Sequence, residues 1–225
     1  MTNNQDGPIT ERARILLVDD HPMVRDGIAA LIARQSDLEI CGQAAGINEA
    51  LQLLDEQSPD LAVVDLSLTD GHGLDLTKQI KLRNSDVKVL IHSMYEESFY
   101  AERALQAGAC GYVNKQEDPQ TLLEAIRGVL KGRVHFTAEI LGRMTGRAAD
   151  GTPTPLAGTV EALTDRELQV FELIGEGRTT RVIAAQLKLS MHTIDTHREK
   201  IKAKLNLKNS AELTRRAVQW VLERR

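Results

Sequence analysis

Short apolar runs rich in valine and isoleucine recur through the first half of the chain. Each run has four or five residues with little alternation, which is typical of strands buried on both faces of a sheet. Between the runs, apolar residues recur with a helical period. The predicted strands cover residues 15–18, 38–41, 61–64, 87–91 and 110–113, and the predicted helices cover residues 23–34, 48–57, 73–82, 98–107 and 119–131. Five strand–helix units with short connections predict an α/β domain with a parallel sheet and helices on both sides.

The last third of the chain shows only helical patterns. Thr164 and Glu167 have the spacing of a capping box, and they open a helix that ends near Gly175. Three more helices are predicted over residues 180–187, after Ser190 and from Ala211. Two helices joined by a tight segment are typical of a helix-turn-helix, which inserts its second helix into the major groove of DNA. This pattern predicts a small all-α domain of four helices.

A stretch dense in glycine, proline and threonine separates the two patterns, over residues 142–158. Such a composition breaks any helical period and is typical of a flexible linker. With 225 residues the chain is long enough for two domains. The predicted organisation is a first domain over 12–135, a linker over 136–158 and a second domain over 159–225.

Charge divides the chain in the same region. Residues 1–158 contain 15 lysines and arginines against 23 aspartates and glutamates, whereas residues 159–225 contain 13 against 9. The balances are therefore −8 and +4, within a formal net charge of −4. Within residues 178–208 there are 8 basic and 2 acidic residues. A lysine-rich helix face is often merely solvated, but a basic patch confined to one module of an acidic chain indicates a polyanionic partner.

Composition excludes several classes of protein. Hydrophobic residues at 42% and charged residues at 27% are typical of a soluble globular chain. No run of 18 apolar residues occurs, so no membrane span is expected, and the polar residues 1–7 predict no secretory signal. Two cysteines are too few for a disulfide framework or a zinc site, so we expect a cytoplasmic protein. Aromatic residues at 3% argue against a base-stacking platform for single strands.

Polar side chains follow the predicted strands of the first domain. Asp19 and Asp20 follow the first strand, Asp65 the third, Ser93 the fourth and Lys115 the fifth. The carboxyl ends of parallel strands meet at one edge of a sheet, where ligands bind. Converging carboxylates favour a hard cation such as Mg²⁺, and a carboxylate beside Mg²⁺ can attack phosphorus. These positions predict a phosphorylation site.

Four segments that contain these residues resemble the receiver domain of two-component response regulators. They are Val18–Pro22, Val64–Leu68, His92–Tyr95 and Gly111–Lys115. The resemblance covers about residues 12–135 and implies a flavodoxin-like (βα)5 fold with a sensor histidine kinase as partner. The implied roles are the phosphoacceptor (Asp65), the Mg²⁺ ligands (Asp19, Asp20, Asp65 and the Ser67 carbonyl), the switch pair (Ser93 and Tyr112) and the phosphoryl-binding lysine (Lys115).

One position departs from the receiver pattern. The family usually has a proline four residues after the phosphoacceptor, where this chain has Thr69. The metal ligands are unaffected by this difference. We expect the loop to be softer and the lifetime of the phosphorylated state to change, in a direction that stays open.

Two enzyme interpretations of the same sheet are disfavoured. A haloacid-dehalogenase-type phosphatase needs a second aspartate two residues after the nucleophile, and that position is Ser67. A dinucleotide-binding domain needs Gly-x-Gly-x-x-Gly after the first strand, where Asp19–Pro22 lie instead. The carboxylates there would repel a pyrophosphate.

The second domain resembles the LuxR-type helix-turn-helix, and with the receiver in front the chain resembles a NarL/FixJ-family response regulator. The segments that carry the resemblance are Leu163–Glu167, Ile183–Ala184, Leu189–His197 and Lys204–Leu207. From the resemblance and the outward face of the third helix, the expected DNA contacts are Lys188, Thr193, Asp195, Thr196, Arg198, Glu199 and Lys202. A carboxylate in the major groove can accept a hydrogen bond from cytosine N4. The fourth helix is expected to pair two subunits through Leu213, Ala217 and Trp220.

Together these features predict a transcription regulator that is switched by phosphorylation. Its expected partners are double-stranded DNA, a sensor histidine kinase and a second copy of the chain, and RNA polymerase is a further candidate. It would accept and hydrolyse its own phosphoryl group without being a turnover enzyme. The alternative is a constitutive DNA-binding regulator whose receiver serves only as a dimerisation platform.

Overall fold

The computed structural model describes residues 12–138, 140–142 and 158–223. The chain forms two compact units, which divide between Ala138 and Glu139. The division lies inside the predicted linker, and residues 143–157 of that linker lie outside the described residues. The bounds of the linker therefore stay a prediction. Among the described residues, no helix has the length and apolar character needed to cross a bilayer.

The first unit is built on a five-stranded parallel sheet, as the apolar runs predict. Its strands are β1 (Ala13–Val18), β2 (Leu38–Ala44), β3 (Leu61–Val64), β6 (Lys88–Ser93) and β7 (Gly111–Asn114). A two-residue antiparallel hairpin of β4 (Ser67–Leu68) and β5 (Gly71–His72) follows β3. The strand order β2-β1-β3-β6-β7 reverses direction between β1 and β3, and ligands bind at the carboxyl ends of strands beside such a reversal.

Five helices cover this sheet. They are α1 (Pro22–Ile32), α2 (Ile47–Gln57), α3 (Gly73–Arg83), α4 (Glu97–Gln106) and α5 (Pro119–Leu130). The Asp118 side chain caps α5 by accepting from the Gln120 amide at 2.8 Å. One core cluster joins Ile28 and Ile32 of α1 and Ile126 of α5 to the sheet. The predicted (βα)5 fold is confirmed.

In the described part of the second unit, every element is a helix. A short 3-10 turn (Val160–Ala162) precedes α6 (Asp165–Gly175), α7 (Thr180–Gln186), α8 (Met191–Lys204) and α9 (Ser210–Leu222). The capping box predicted at Thr164 and Glu167 is present at the start of α6. Ser190 caps α8 by accepting from the Thr193 amide at 3.0 Å. The helix-turn-helix is the pair α7 and α8, as predicted.

Candidate functional site

Strand register brings the predicted acidic residues together. Val18 pairs with Val64 across β1 and β3, so the residues that follow, Asp19 and Asp65, lie beside each other. Asp19, Asp20 and Asp65 are 4%, 8% and 4% exposed. One ligand atom from each of these carboxylates and from His21 lies within 4.8 Å of the others. Sequence reasoning predicted this cluster because the ends of neighbouring parallel strands must converge.

Lys115 joins two of these carboxylates. Its Nζ atom lies 2.6 Å from Asp19 Oδ2 and 2.8 Å from Asp65 Oδ2, and its side chain is 6% exposed. The Lys115 amide donates to the Ser93 carbonyl at 2.8 Å, which fixes the residue at the end of β7. A buried lysine between two buried carboxylates compensates their negative charges, which water reaches poorly there.

The charges of the pocket shift one another's protonation. Burial raises the pKa of Asp65 to about 6, and the Asp19 charge acts in the same direction, while Lys115 and the Ser93 hydroxyl oppose them. Burial works against the charge on Lys115, but Asp65 and Asp19 outweigh it and raise the pKa of Lys115. Burial also lowers the pKa of the neighbouring His92 to about 4, with Lys115 adding to the shift. Lys115 therefore stays charged and His92 neutral near pH 7.

The two predicted switch residues connect the pocket to α4. Ser93 is fully buried, and its Oγ lies 3.5 Å from the Tyr95 amide nitrogen. Tyr112 is 3% exposed, and its hydroxyl donates to the Tyr95 carbonyl at 2.7 Å. The Tyr112 ring therefore lies inside the protein in this structure. The Tyr95 ring continues the contact to Tyr100 of α4, at 5.4 Å between centroids.

In the second unit the predicted DNA contacts lie on the turn and on α8. Lys188, Asp195, Thr196 and Glu199 are exposed, and Thr193, Arg198 and Lys202 are partly exposed. Lys188 adopts a left-handed backbone with φ of 53° in the turn between α7 and α8. The Thr196 hydroxyl donates to the His192 carbonyl at 3.0 Å, one turn earlier in the same helix. These residues share an accessible surface, which we call the recognition face.

Two lysines near the end of α8 differ in their partners. Lys202 Nζ lies 2.9 Å from Glu199 Oε1, and that glutamate is 73% exposed. Lys204 Nζ lies 2.6 Å from Oε2 of Glu167, which is 4% exposed and belongs to the capping box of α6. Lys202 can therefore exchange its partner for a phosphate, whereas Lys204 holds α8 against α6.

Comparison with known proteins identifies both units. Residues 15–127 match the response regulator receiver domain, and residues 161–217 match the bacterial regulatory proteins of the luxR family. A putative transcriptional regulator of Pseudomonas aeruginosa is 36% identical over 201 residues, which is 89% of this chain and 95% of that protein. The chain belongs to the response regulators of the LuxR family.

Further relatives agree with this assignment. The transcriptional regulatory protein LiaR of Bacillus subtilis is 33% identical over 88% of this chain and 93% of its own length. A two-component response regulator of the LuxR family from Aurantimonas sp. SI85-9A1 has a solved structure that is 37% identical, with a TM-score of 0.56. That match covers 62% of this chain and 99% of the other. The protein is thus a transcription regulator made of a receiver and a LuxR-type domain.

In this response regulator the loop after Asp65 makes several hydrogen bonds to the segment before and at the start of α2, and its softening by Thr69 stays a prediction. The Thr69 hydroxyl and amide both donate to the Ala45 carbonyl, at 3.1 and 3.3 Å. Asp70 accepts from the amides of Ile47 and Asn48, at 2.6 and 3.1 Å, and so caps α2. Side-chain hydrogen bonds therefore tie this loop to the residues around the start of α2.

Some pocket residues of the regulator were missed by sequence reasoning. His21 Nδ1 lies 2.7 Å from Asp20 Oδ1, and the Arg25 guanidinium donates to the Asp19 carbonyl at 2.5 Å. Gly73 at the start of α3 is also required, because a Cβ there would lie 2.0 Å from the Asp65 carbonyl oxygen. His21 had a signal, since it follows the acidic pair directly. The other two had none that a single sequence reveals.

The residues predicted to pair two copies of the regulator lie elsewhere than expected. Leu213 and Ala217 are fully buried and Trp220 is 5% exposed, because α9 packs them against its own domain. The Trp220 and Phe171 ring centroids are 5.7 Å apart. These three side chains are core residues, so they do not form a surface for a second subunit in this structure. An apolar stripe on a helix marks the face that is buried, without telling whether the burial is within or between chains.

Proposed function

We propose that the regulator is switched by transfer of a phosphoryl group to Asp65. The observation that carries the proposal is the buried arrangement of Lys115 between Asp19 and Asp65 at the ends of three strands. A purely structural domain gains little from such a cluster, since buried ion pairs are weak stabilisers compared with apolar packing. A sensor histidine kinase, which the receiver domain implies as partner, would be the donor.

The chemistry follows from the positions of the charged groups. One Asp65 oxygen attacks phosphorus and forms an acyl phosphate, while the bond from phosphorus to the donor breaks and the donor keeps its electron pair. Lys115 would then pair with an oxygen of the phosphoryl group in place of the Asp65 carboxylate. Hydrolysis of the acyl phosphate in the same pocket would return the regulator to its starting state.

The donor set of the pocket fits Mg²⁺. Three carboxylates supply the hard oxygen ligands that this ion prefers, and we assign them to Asp19, Asp20 and Asp65 with the Ser67 carbonyl. When bound, the ion would neutralise negative charge on the phosphoryl oxygens. The chain's own part is to hold the carboxylates in place: Lys115 and the His21 amide each contact Asp19, the amide at 2.8 Å. The Asp65 amide donates to the Val18 carbonyl at 2.8 Å, which fixes the nucleophile on the strand.

Ser93 and the loop that contains Tyr95 are proposed to transmit the structural change out of the pocket. A new phosphoryl group would attract the Ser93 hydroxyl, and Tyr95 lies two residues further along the chain. Because the Tyr95 carbonyl accepts from Tyr112, the loop cannot move without disturbing the inward position of that ring. A switch of this kind acts through the difference in stability of two states, typically about 1–3 kcal/mol.

The recognition face is the proposed contact with double-stranded DNA. We assign α8 to the major groove, with Asp195, Thr196 and Glu199 toward base edges. Lys188, Thr193, Arg198 and Lys202 would contact the backbone and its phosphates. The two acids weaken non-specific attraction to DNA and favour cytosine amino groups, so they would contribute to sequence discrimination.

Pairing of two copies on DNA stays part of the proposal, with a different set of residues. The exposed face of α9 carries Ala211, Arg215, Val218 and Leu222, spaced at one helical stripe, and Leu222 is 69% exposed. Two such stripes could pack across a two-fold axis, which suits a palindromic operator.

The test is the intact mass of the full chain after incubation with Mg²⁺ and acetyl phosphate, beside Asp65→Asn. A single phosphoryl adduct on the wild type alone is the expected result. Binding of operator DNA, selected from a random pool, should then increase with the phosphodonor in the wild type only. No adduct on either folded protein would contradict the proposal. It would favour the constitutive regulator, whose DNA binding is insensitive to phosphodonors.

A further inference from the structure

The chain that follows α5 lies along the outer edge of the sheet. The His135 amide donates to the Cys110 carbonyl at 2.9 Å, and the Tyr112 amide donates to the His135 carbonyl at 2.8 Å. His135 thereby forms a parallel bridge with Gly111 at the open edge of β7. A Cβ on Gly111 would lie 2.8 Å from the His135 Cβ, so the close approach requires glycine there. We call residues 133–137 the strap.

The far end of the strap contacts the switch region. The Thr137 amide donates to Glu97 Oε1 at 3.0 Å. Glu97 is the first residue of α4 and lies two residues after Tyr95, the acceptor of the Tyr112 hydroxyl. Its side chain is partly buried, and burial raises the pKa of its carboxyl, which the Thr137 amide and His135 oppose. A carboxylate acceptor makes a charge-assisted hydrogen bond with the amide, which is stronger than a bond between neutral groups.

The two anchors of the strap lie on elements that we expect to move differently when Asp65 is phosphorylated. His135 is bonded to β7, a strand of the rigid sheet, whereas Thr137 is bonded to the start of α4, which follows the Ser93 loop. In the sheet, β6 and β7 lie in sequence outward from β3, and the strap lies beyond β7. Asp65 follows β3, so any pull on Ser93 toward Asp65 draws the start of α4 inward, away from the strap.

We propose that the Glu97–Thr137 hydrogen bond links the state of Asp65 to the linker, and that phosphorylation breaks it. Loss of this anchor frees the strap beyond His135, which stays bonded to β7, and adds Phe136 and Thr137 to the tether of the DNA-binding unit. Two residues in extended form add roughly 7 Å of reach. The inference rests on the proposed phosphorylation switch and adds the place where its signal leaves the receiver.

The test is amide hydrogen exchange on the full chain, with and without Mg²⁺ and beryllium fluoride as phosphoryl analogue. Exchange at Thr137 reports the movable anchor, exchange at Tyr112 reports the fixed anchor, and the amides of residues 93–96 report the switch loop. In the wild type the analogue should speed exchange at Thr137 by about tenfold or more, the effect of losing one charge-assisted hydrogen bond, while exchange at Tyr112 changes less.

Two alanine variants make the test specific. Glu97→Ala removes the acceptor, so Thr137 should exchange rapidly without the analogue and change no further with it. Glu96→Ala is the matched control, because Glu96 is exposed, makes no side-chain cap bond to α4 and should behave as the wild type.

Two outcomes would overturn the inference in distinguishable ways. If residues 93–96 respond to the analogue and Thr137 does not, the strap is not controlled by the switch, and the proposed function stands. If neither responds, the phosphorylation switch itself is wrong, and the strap inference falls with it.

Discussion

The acidic pocket around Asp65 and the recognition face use the same kinds of side chain in different surroundings. In the pocket, Lys115 is 6% exposed and contacts two carboxylates that are 5% and 4% exposed. On the recognition face, the Lys202 side chain is 16% exposed and contacts Glu199, whose side chain is 73% exposed. Burial couples the protonation of the charged groups in the pocket, whereas water screens the charges on the recognition face.

This difference indicates how each region recognises its partner. The pocket holds its groups in fixed places before any ligand binds, which suits a small, highly charged phosphoryl group and its metal ion. The recognition face pairs its side chains close to solvent, which suits a long polyanion that replaces intramolecular partners with phosphates. Changes of shape should therefore harm the pocket most, and changes of charge the recognition face.

The largest expected effect is that of Gly73→Ala, which tests how tightly the pocket is built. Alanine normally stabilises a helix relative to glycine, but here its Cβ would lie 2.0 Å from the Asp65 carbonyl oxygen. We expect the receiver to lose about 3 kcal/mol of unfolding free energy, as in an overpacked core. Urea unfolding followed by circular dichroism measures the loss, and intact mass should show a reduced phosphoryl adduct.

Gly27→Ala is the matched control, since nothing lies within 4 Å of a Cβ added to this residue of α1. It should raise the stability of the receiver by about 0.5–1 kcal/mol, the ordinary gain from replacing glycine in a helix. If Gly73→Ala and Gly27→Ala changed the unfolding free energy by the same amount, the pocket would be no more rigid than an exposed helix.

A smaller effect is expected from acidification, which should weaken Mg²⁺ binding in the pocket. Burial raises the pKa of Asp65 to about 6, so below that pH a proton competes with Mg²⁺ for this carboxylate. Mg²⁺ affinity should therefore fall by about tenfold between pH 7 and pH 5, since each unit below the pKa weakens binding by about that factor. Calorimetric titration at the two pH values measures the change.

Asp65→Asn provides the comparison for this titration. It should bind Mg²⁺ more weakly at pH 7 and should lose less affinity on acidification than the wild type. An equal loss in both proteins would assign the pH dependence to other groups, and the burial of Asp65 would not be its cause.

Most of the fold and the pocket could be predicted from the sequence, for a physical reason. Apolar runs that end at Val18 and Val64 must be neighbouring buried strands, and parallel strands bring their last residues to one edge. Local signals also sufficed for caps, such as Ser190 before α8. The predictions that succeeded depended on short-range pattern or on the convergence of strand ends.

The predictions that failed or were missing depend on contacts between distant residues. Trp220 could face its own domain or a second subunit, and only the packing of α9 decides for the first. Lys204 and Glu167 are 37 residues apart, so nothing local distinguishes Lys204 from the solvated lysines around it. The hydrogen bond from Thr69 to Ala45, 24 residues earlier, likewise has no sequence signature.

The smallest expected effect compares two lysines that lie two residues apart on α8. Lys204→Met leaves the buried Glu167 carboxylate without its cation, so the second unit should lose about 1 kcal/mol of unfolding free energy, the partial exposure of Lys204 limiting the loss. Lys202→Met breaks only a pair with an exposed glutamate and should change stability by less than about 0.5 kcal/mol. Unfolding followed by Trp220 fluorescence measures both.

DNA binding should reverse the order of the two lysine variants. Lys202→Met removes a proposed phosphate contact, so affinity should fall for all sequences, and the slope of log affinity against log salt should decrease by about 1. Lys204→Met should leave that slope unchanged at temperatures where the domain is folded. If Lys204→Met instead reduced the slope and kept full stability, Lys204 would belong to the recognition face. The distinction between a lysine paired with a buried glutamate and one paired with an exposed glutamate would then be wrong.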